Sequence, residues 1–245
     1  IGHYSPELFD VAANVAMKKL DTFKAQEISN MLWAYATNER SPAVTTGHPS
    51  PELFDAAAKA TIKKLNMFKA QEISNTLWSY AKIGHFSPEL FDAAVTKAIK
   101  EMNQFSAQEM ANTLWSYAKI GHYSPELFDV AANVAMKKLD TFKAQEISNM
   151  LWAYATNERS PAVTTGHPSP ELFDAAAKAT IKKLNMFKAQ EISNTLWSYA
   201  KIGHFSPELF DAAVTKAIKE MNQFSAQEMA NTLWSYAKIG HYSPE

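Results

Sequence analysis

The chain is a tandem repeat, and this periodicity limits its fold more than any other feature of the sequence. Residues 1–119 recur without a substitution as residues 120–238, and residues 239–245 begin a third copy. A shorter period lies inside this unit, because the phrase Phe-x-Ala-Gln-Glu occurs six times. Its phenylalanines are Phe23, Phe68, Phe105, Phe142, Phe187 and Phe224. Such periods are typical of arrays in which each repeat contacts only its neighbours.

The basic module is 37 residues long, and every third module is longer. Successive phrases are spaced by 45, 37, 37, 45 and 37 residues. The 45-residue spacing arises where the short linker of residues 82–86 is replaced by a longer linker, residues 37–49. We expect this longer linker to project from one face of the array, as insertions in repeat proteins usually do.

The first half of each module has the pattern of an amphipathic helix. In the third module Ser87 is an N-cap residue, and Pro88 stands at the first helical position. Apolar residues then follow at helical spacing from Leu90 to Met102. Phe86 and Phe91 have the spacing of a hydrophobic staple across the helix start.

The second half of each module predicts another helix. It begins at Ser106 with a capping box, and Gly121 follows as the expected C-terminal cap. Lys24 and Lys69 stand where the third module has serine, and lysine offers no acceptor for a helix N–H. We therefore expect the second helices of those modules to fray more at their starts.

Two short amphipathic helices cannot bury their apolar faces alone, whereas stacked neighbours form a continuous core. The predicted fold is therefore all-α, an α-solenoid of two-helix hairpins with a right-handed superhelix. We expect one continuous solenoid over residues 1–245, built from the three-module units 1–119 and 120–238 and from residues 239–245, which begin the next copy.

The charge balance and the missing motifs exclude several function classes. The chain has 24 basic and 25 acidic residues, and the repeated unit is neutral, which argues against strong phosphate binding. There is no cysteine, no apolar run of membrane-spanning length, and no zinc-protease, nucleophile-elbow or phosphate-loop motif. We expect a non-enzymatic protein without a cofactor or a metal.

The second helix of each module resembles a known repeat signature. The segment Phe68–Lys82, with Gln71, Asn75 and Trp78 at its characteristic positions, is similar to the signature helix of heptatricopeptide and octotricopeptide repeats. These repeats occur in organellar proteins that often also carry a RAP domain, and the similarity covers all six modules. The resemblance implies an α-solenoid in mitochondria or chloroplasts that binds RNA and supports RNA processing, RNA stability or ribosome assembly.

Polar residues form a candidate stripe on the second helices. In the third module they are Gln108, Asn112, Ser116 and Lys119. Their amides suit either base edges or an inter-module ladder of amide hydrogen bonds. Repetition of the same amides favours the ladder, and an RNA read by them would itself be repetitive. The amide residues are Gln26, Asn30, Gln71, Asn75, Gln108, Asn112, Gln145, Asn149, Gln190, Asn194, Gln227 and Asn231.

A tryptophan recurs beside this stripe in every module, at the edge of the apolar arc. It can stack on unpaired bases, or it can pack between modules while its N–H reaches a protein partner. We favour packing, because an edge position meets both demands. The six residues are Trp33, Trp78, Trp115, Trp152, Trp197 and Trp234.

A histidine occupies the same turn in successive modules, next to glycine, as at His3, His48, His85 and His122. Modules about 10 Å apart are too widely spaced to share a zinc ion. We expect loop histidines without a special role, with a pH-sensitive contact between neighbouring modules as the alternative.

Lysine pairs recur late in the first helices. They suit either a stripe that tracks RNA phosphates or the negative end of the helix dipole, and we favour the dipole. The pairs are Lys18 with Lys19, Lys63 with Lys64, and Lys97 with Lys100.

Two functions follow from these patterns. The favoured hypothesis is a structural array whose partners are copies of itself, joined end to end and laterally. The alternative is a single-stranded RNA-binding module, as the resemblance implies. The longer linkers are the candidate lateral-contact loops, through Asn38, Glu39, Arg40, Thr45, Asn157, Glu158, Arg159 and Thr164.

Overall fold

The computed structural model describes residues 5–37, 51–157 and 170–240. These residues form helices joined by short turns, without a β-strand among them. The helix pairs are, module by module, α1 (Pro6–Met17) and α2 (Ala25–Thr37), α3 (Pro51–Lys64) and α4 (Ala70–Ile83), α5 (Pro88–Glu101) and α6 (Ala107–Ile120), α7 (Pro125–Lys138) and α8 (Ala144–Thr156), α9 (Pro170–Lys183) and α10 (Ala189–Ile202), and α11 (Pro207–Glu220) and α12 (Ala226–Ile239).

The helix ends follow the predicted capping chemistry. The N–H of Glu109 donates to Ser106 Oγ at 3.3 Å, and the N–H of Ser106 donates to Glu109 Oε2 at 2.7 Å. Gly121 closes α6 with a φ of 76°, a left-handed conformation that glycine adopts without steric cost. Lys69 retains half of the box, because its N–H donates to Glu72 Oε2 at 2.9 Å while its side chain accepts nothing.

The helices form two layers. Consecutive second helices, α2, α4, α6, α8, α10 and α12, pack closely side by side, whereas consecutive first helices approach one another much less. The second helices therefore form the inner layer of a curved array, and the first helices form its outer layer. The apolar core lies between the layers and runs through all six modules. The fold is an α-solenoid of helical hairpins, as predicted, and the hand of its superhelix stays a prediction.

A buried tyrosine joins the two helices of each module. The hydroxyl of Tyr117 on α6 donates to the carbonyl oxygen of Phe91 on α5 at 2.7 Å, and their rings meet edge to face at 5.1 Å. The same pair recurs in the other modules. Burial raises the pKa of Tyr117 above its usual range, so the hydroxyl stays a protonated donor.

The turn histidine closes the other end of the hairpin. His122 Nε2 lies 2.8 Å from Asp92 Oδ1 on the first helix of the preceding hairpin, and His85 and Asp55 repeat the contact at 2.9 Å. The expectation of loop histidines without a role is therefore wrong at these positions. With the units divided after residue 119, the contact joins the start of one module to the module before it, and its pH sensitivity stays a prediction. His3 and His48 lie outside the described residues.

Lysine side chains join successive modules. The ammonium of Lys64 on α3 donates to the carbonyl oxygens of Asp21 and Phe23, both at 2.7 Å, in the turn of the preceding module. Lys183 repeats this in the second copy, and Lys138 holds the turn carbonyls of the third module in the same way. A positive charge thus meets the carbonyl end of a neighbouring helix.

Other lysines of these pairs form ion pairs with carboxylates. Lys63 pairs with Asp21 of the preceding module at 3.0 Å, and this contact lowers the pKa of the Asp21 carboxyl. Lys97 pairs with Glu101 on its own helix at 2.7 Å. Lys63, Lys64 and Lys97 therefore make inter-module or intra-helix contacts, and both expected roles of the lysine pairs stay predictions.

Lys64→Met is expected to lower the free energy of unfolding by about 1–2 kcal/mol, because several charge-assisted hydrogen bonds at a half-buried site are lost. The matched control is Lys19→Met. Lys19 has the same position in the first module, and its ammonium has no partner among the residues described. Urea denaturation followed by circular dichroism measures both variants. Equal shifts of the two midpoints would show that the inter-module contact contributes nothing.

Lys69→Ser is expected to slow amide exchange in the first turn of α4 by restoring the missing half of the capping box, which contributes about 1 kcal/mol. In the unmodified chain the first turn of α4 is expected to exchange faster than that of α6. Hydrogen exchange read by mass spectrometry compares the two helices in one sample. Slower exchange at α4 than at α6 would contradict the explanation.

Candidate nucleic-acid interface

In the inner layer of the array, each second helix exposes one face to solvent. In α6 this face carries four residues at i, i+4, i+7 and i+11, within an arc of about 60° at roughly 100° per residue. They are Gln108, Asn112, Trp115 and Lys119. We call the rows that these positions form along the array the second-helix face. Ser116, which was expected in the stripe, is buried and donates to the Asn112 carbonyl at 2.6 Å.

Among the described residues, the amide side chains on this face have no hydrogen-bond partners. The glutamine is exposed in all six modules, and the asparagine is exposed in the first module and half-buried in the others. Within the described ranges no hydrogen bond joins one of these side-chain amides to another or to any other protein group. An amide ladder is thus not formed there. Each amide can offer a donor and an acceptor to a ligand or to water.

The tryptophans form a row along the same face. The ring centroid of Trp115 lies 6.4 Å from the centroid of Trp78 and 6.4 Å from that of Trp152. The ring planes of these two pairs are tilted relative to each other by 31° and 35°, respectively. Trp197 and Trp234 repeat this spacing in the second copy. The indoles are half-exposed, and in the described part of the chain their N–H groups have no protein acceptor. The row is therefore open to an aromatic ligand.

Lysines lie at both ends of the second helices. Lys69 and its equivalents precede the helix, and Lys82 and Lys119 lie in the last turn. Each three-module unit carries four lysines against three glutamates on these helices. Each of those glutamates accepts a hydrogen bond from the backbone N–H at the helix start, so the helix dipole already balances part of its charge. The face is thus weakly positive.

The candidate loops fall largely outside the described residues. Asn38, Glu39, Arg40, Thr45, Glu158, Arg159 and Thr164 are not described. Asn157 follows α8, where its backbone N–H donates to the Ala153 carbonyl. Its side-chain nitrogen is buried and has no hydrogen-bond partner in the described part of the chain. The role of these loops in lateral contacts stays a prediction.

Sequence reasoning placed the tryptophans at the edge of the apolar arc and did not include them in the stripe. A residue seven positions after Gln108 returns to nearly the same direction on a helix, whereas one eight positions later is rotated by about 80°. Trp115 therefore shares the direction of Gln108, and Ser116 does not. The helical angle alone therefore predicts that Trp115 lies on the face of Gln108, without any tertiary information.

Neither a metal site nor a membrane span is apparent in the ranges that the structure covers. No group of three or more His, Asp or Glu side chains there is arranged to hold a metal ion. No described helix has the length and apolar character needed to cross a bilayer. The chemistry that the second-helix face offers is hydrogen bonding, aromatic stacking and weak positive charge.

Two family models match parts of the chain. One, for the RNA-editing substrate-binding complex 6 protein, matches residues 94–158, which include α6 and α8 with their tryptophans. The other, a protein of unknown function (DUF1601), matches four segments, residues 20–32, 61–77, 180–196 and 212–233. No curated protein matches the chain. The two matches agree with a helical-repeat protein, which the structure shows directly.

Proposed function

We propose that this chain is a non-enzymatic helical-repeat module that binds single-stranded RNA along its second-helix face. The observation that carries the proposal is the row of half-exposed tryptophans beside amides that have no hydrogen-bond partner in the described part of the chain. Buried tryptophans normally find a hydrogen-bond partner for their N–H, and structural amides normally form hydrogen bonds. An open row of both types suits a ligand that brings aromatic rings and polar edges together.

Unpaired nucleic acid is the ligand class that fits this chemistry. Stacking on an aromatic side chain requires a base that is not paired in a duplex, and each stacked base contributes about 1–3 kcal/mol. The lysines at the two ends of the second helices provide charge for the phosphates on either side of the bases. The weak positive charge predicts that stacking, more than phosphate contact, carries the affinity.

The comparisons support the same proposal. The family model that matches residues 94–158 is named for a complex that binds RNA-editing substrates. The resemblance of the second helices to heptatricopeptide and octotricopeptide repeats points to RNA as well. We therefore propose that the protein supports RNA processing, RNA stability or ribosome assembly.

The double variant Trp115→Ala/Trp152→Ala is expected to weaken RNA binding about 25-fold or more, because two stacking contacts are lost. Fluorescence anisotropy with a labelled single-stranded RNA of mixed sequence measures the affinity at low salt. The matched control is Met67→Ala/Met186→Ala, which truncates two exposed apolar side chains outside the second-helix face and should leave binding unchanged. Circular dichroism checks that each variant stays folded.

Raising the salt concentration in the same experiment should weaken binding with a shallow slope, of roughly 0.7 per phosphate contact. Absence of binding at low salt would overturn the proposal. So would equal losses of affinity in the tryptophan and methionine variants.

A second candidate function is assembly with further copies of the chain, and the two end faces favour it. Leu8 on the first module is 63% exposed and Leu233 on the last is 67% exposed. Their copies Leu127 and Leu114 are completely buried at the junction between the third and fourth modules. Because the two units have the same sequence, the end faces reproduce the two halves of that junction. Such a head-to-tail contact need not close on itself, and a contact that does not close builds a filament.

Leu8→Glu and Leu233→Glu test this assembly, because each blocks one end face and leaves the other intact. The unmodified chain is expected to form concentration-dependent oligomers in analytical ultracentrifugation. Each variant alone is expected to be monomeric, while an equal mixture of the two should form dimers and nothing larger. A monomeric unmodified chain at high concentration would contradict assembly, as would oligomers of either variant alone.

A further inference from the structure

We infer that the RNA bound by the second-helix face is a run of adenines, with one base inserted in each 6.4 Å gap between the tryptophan pairs Trp78–Trp115, Trp115–Trp152 and Trp197–Trp234. The inference rests on the RNA-binding function proposed above and adds the identity and register of the bases. Three features of the face carry it: the spacing of the rings, the amides beside them, and the repetition of both.

The distances between neighbouring tryptophan rings nearly match the separation that two rings need to hold one base between them. Stacked bases are about 3.4 Å apart, so a base between two parallel rings needs a separation of about 6.8 Å. The centroids of Trp78 and Trp115, and those of Trp115 and Trp152, are 6.4 Å apart. The rings have to rotate by about 30° to become parallel, and half-exposed side chains on a helix face have space for such a rotation.

Insertion gives each base two aromatic contacts. A base that stacks on one indole leaves its other face in water, whereas a base between Trp115 and Trp152 is desolvated on both faces. Trp115 closes one gap and opens the next, so the bases in these two gaps share a stacking partner and hold each other in register. A purine covers more of an indole than a pyrimidine does, so double stacking favours purines.

The amides select adenine among the purines. Asn112 lies one helical turn before Trp115, on the same side of α6, and Gln108 lies one turn further. A side-chain amide presents a donor and an acceptor together, which matches N6 and N7 of adenine. Guanine presents two acceptors, O6 and N7, at the same edge, which suits arginine or lysine better than an amide. Neither amide has a protein partner within the described ranges, so both are available to the base.

The repetition of the face makes the preferred sequence uniform. Modules that read different bases differ in the side chains that touch those bases. Here the glutamine, asparagine and tryptophan are the same in all six modules. Each gap therefore selects the same base, and a strand that satisfies several gaps at once is a run of that base.

The test compares labelled 12-nucleotide RNAs binding to the 245-residue chain at low salt: oligo(A), oligo(C), oligo(U) and a mixed sequence without runs. Oligo(A) is expected to bind about tenfold or more tightly than the other three, since each bidentate contact discriminates strongly against the wrong base. Equal binding of all four RNAs would overturn the adenine inference while leaving RNA binding intact. No binding of any RNA would overturn the proposed function itself.

Asn112→Ala/Asn231→Ala tests the role of the amide directly. Neither side chain has a hydrogen-bond partner among the described residues, so the variant is expected to remain folded, which circular dichroism checks. Its affinity for oligo(A) should fall about tenfold, and most of the preference for oligo(A) over the mixed RNA should be lost with it. An unchanged ratio between the two RNAs would contradict selection by the amides.

Tryptophan emission reports insertion separately from affinity. Saturation with unlabelled oligo(A) is expected to quench the emission strongly, because both faces of the indoles become covered. Binding of oligo(A) without a change in emission would show that the bases lie elsewhere and would overturn the insertion model.

Discussion

The side-by-side packing of the second helices is the constraint on which the rest of the structure depends. Each second helix buries residues such as Leu114 completely against the next module, and without a neighbour the copy at Leu233 is largely exposed. A single hairpin cannot bury this surface, so the modules are stable only as a stack. The tyrosine, histidine and lysine contacts then fix each hairpin and its offset from the previous one.

The same packing creates the candidate interface. Closely spaced second helices bring equivalent side chains into rows, so a residue that is unremarkable in one module becomes part of a repeating surface. The ring spacing of 6.4 Å follows from the close approach of the inner layer. A repeat with this geometry but varied residues would read a varied strand. Identical modules instead predict a uniform ligand or a uniform neighbour.

Much of the fold could be predicted from the sequence, because period, apolar spacing and caps are local properties. Gly121 and Ser106 could be assigned from their immediate neighbours. The contact between His122 and Asp92 could not, because it joins residues 30 positions apart whose proximity depends on the hairpin geometry. The contact of Lys64 with the preceding module depends on the offset between stacked hairpins, which the sequence does not state. Helical geometry predicts that Trp115 lies on the interface, but it does not predict the distance between Trp115 and Trp152.

The central claim is that the second-helix face binds single-stranded RNA through its tryptophans. The most direct measurement is a two-dimensional nitrogen–proton NMR spectrum of the indole N–H groups during titration with a single-stranded RNA. Binding through this face predicts saturable shifts of the indole resonances, together with unchanged backbone resonances in the outer first helices. Indole resonances that do not move while the RNA binds, or an RNA that causes no change at all, would contradict the claim.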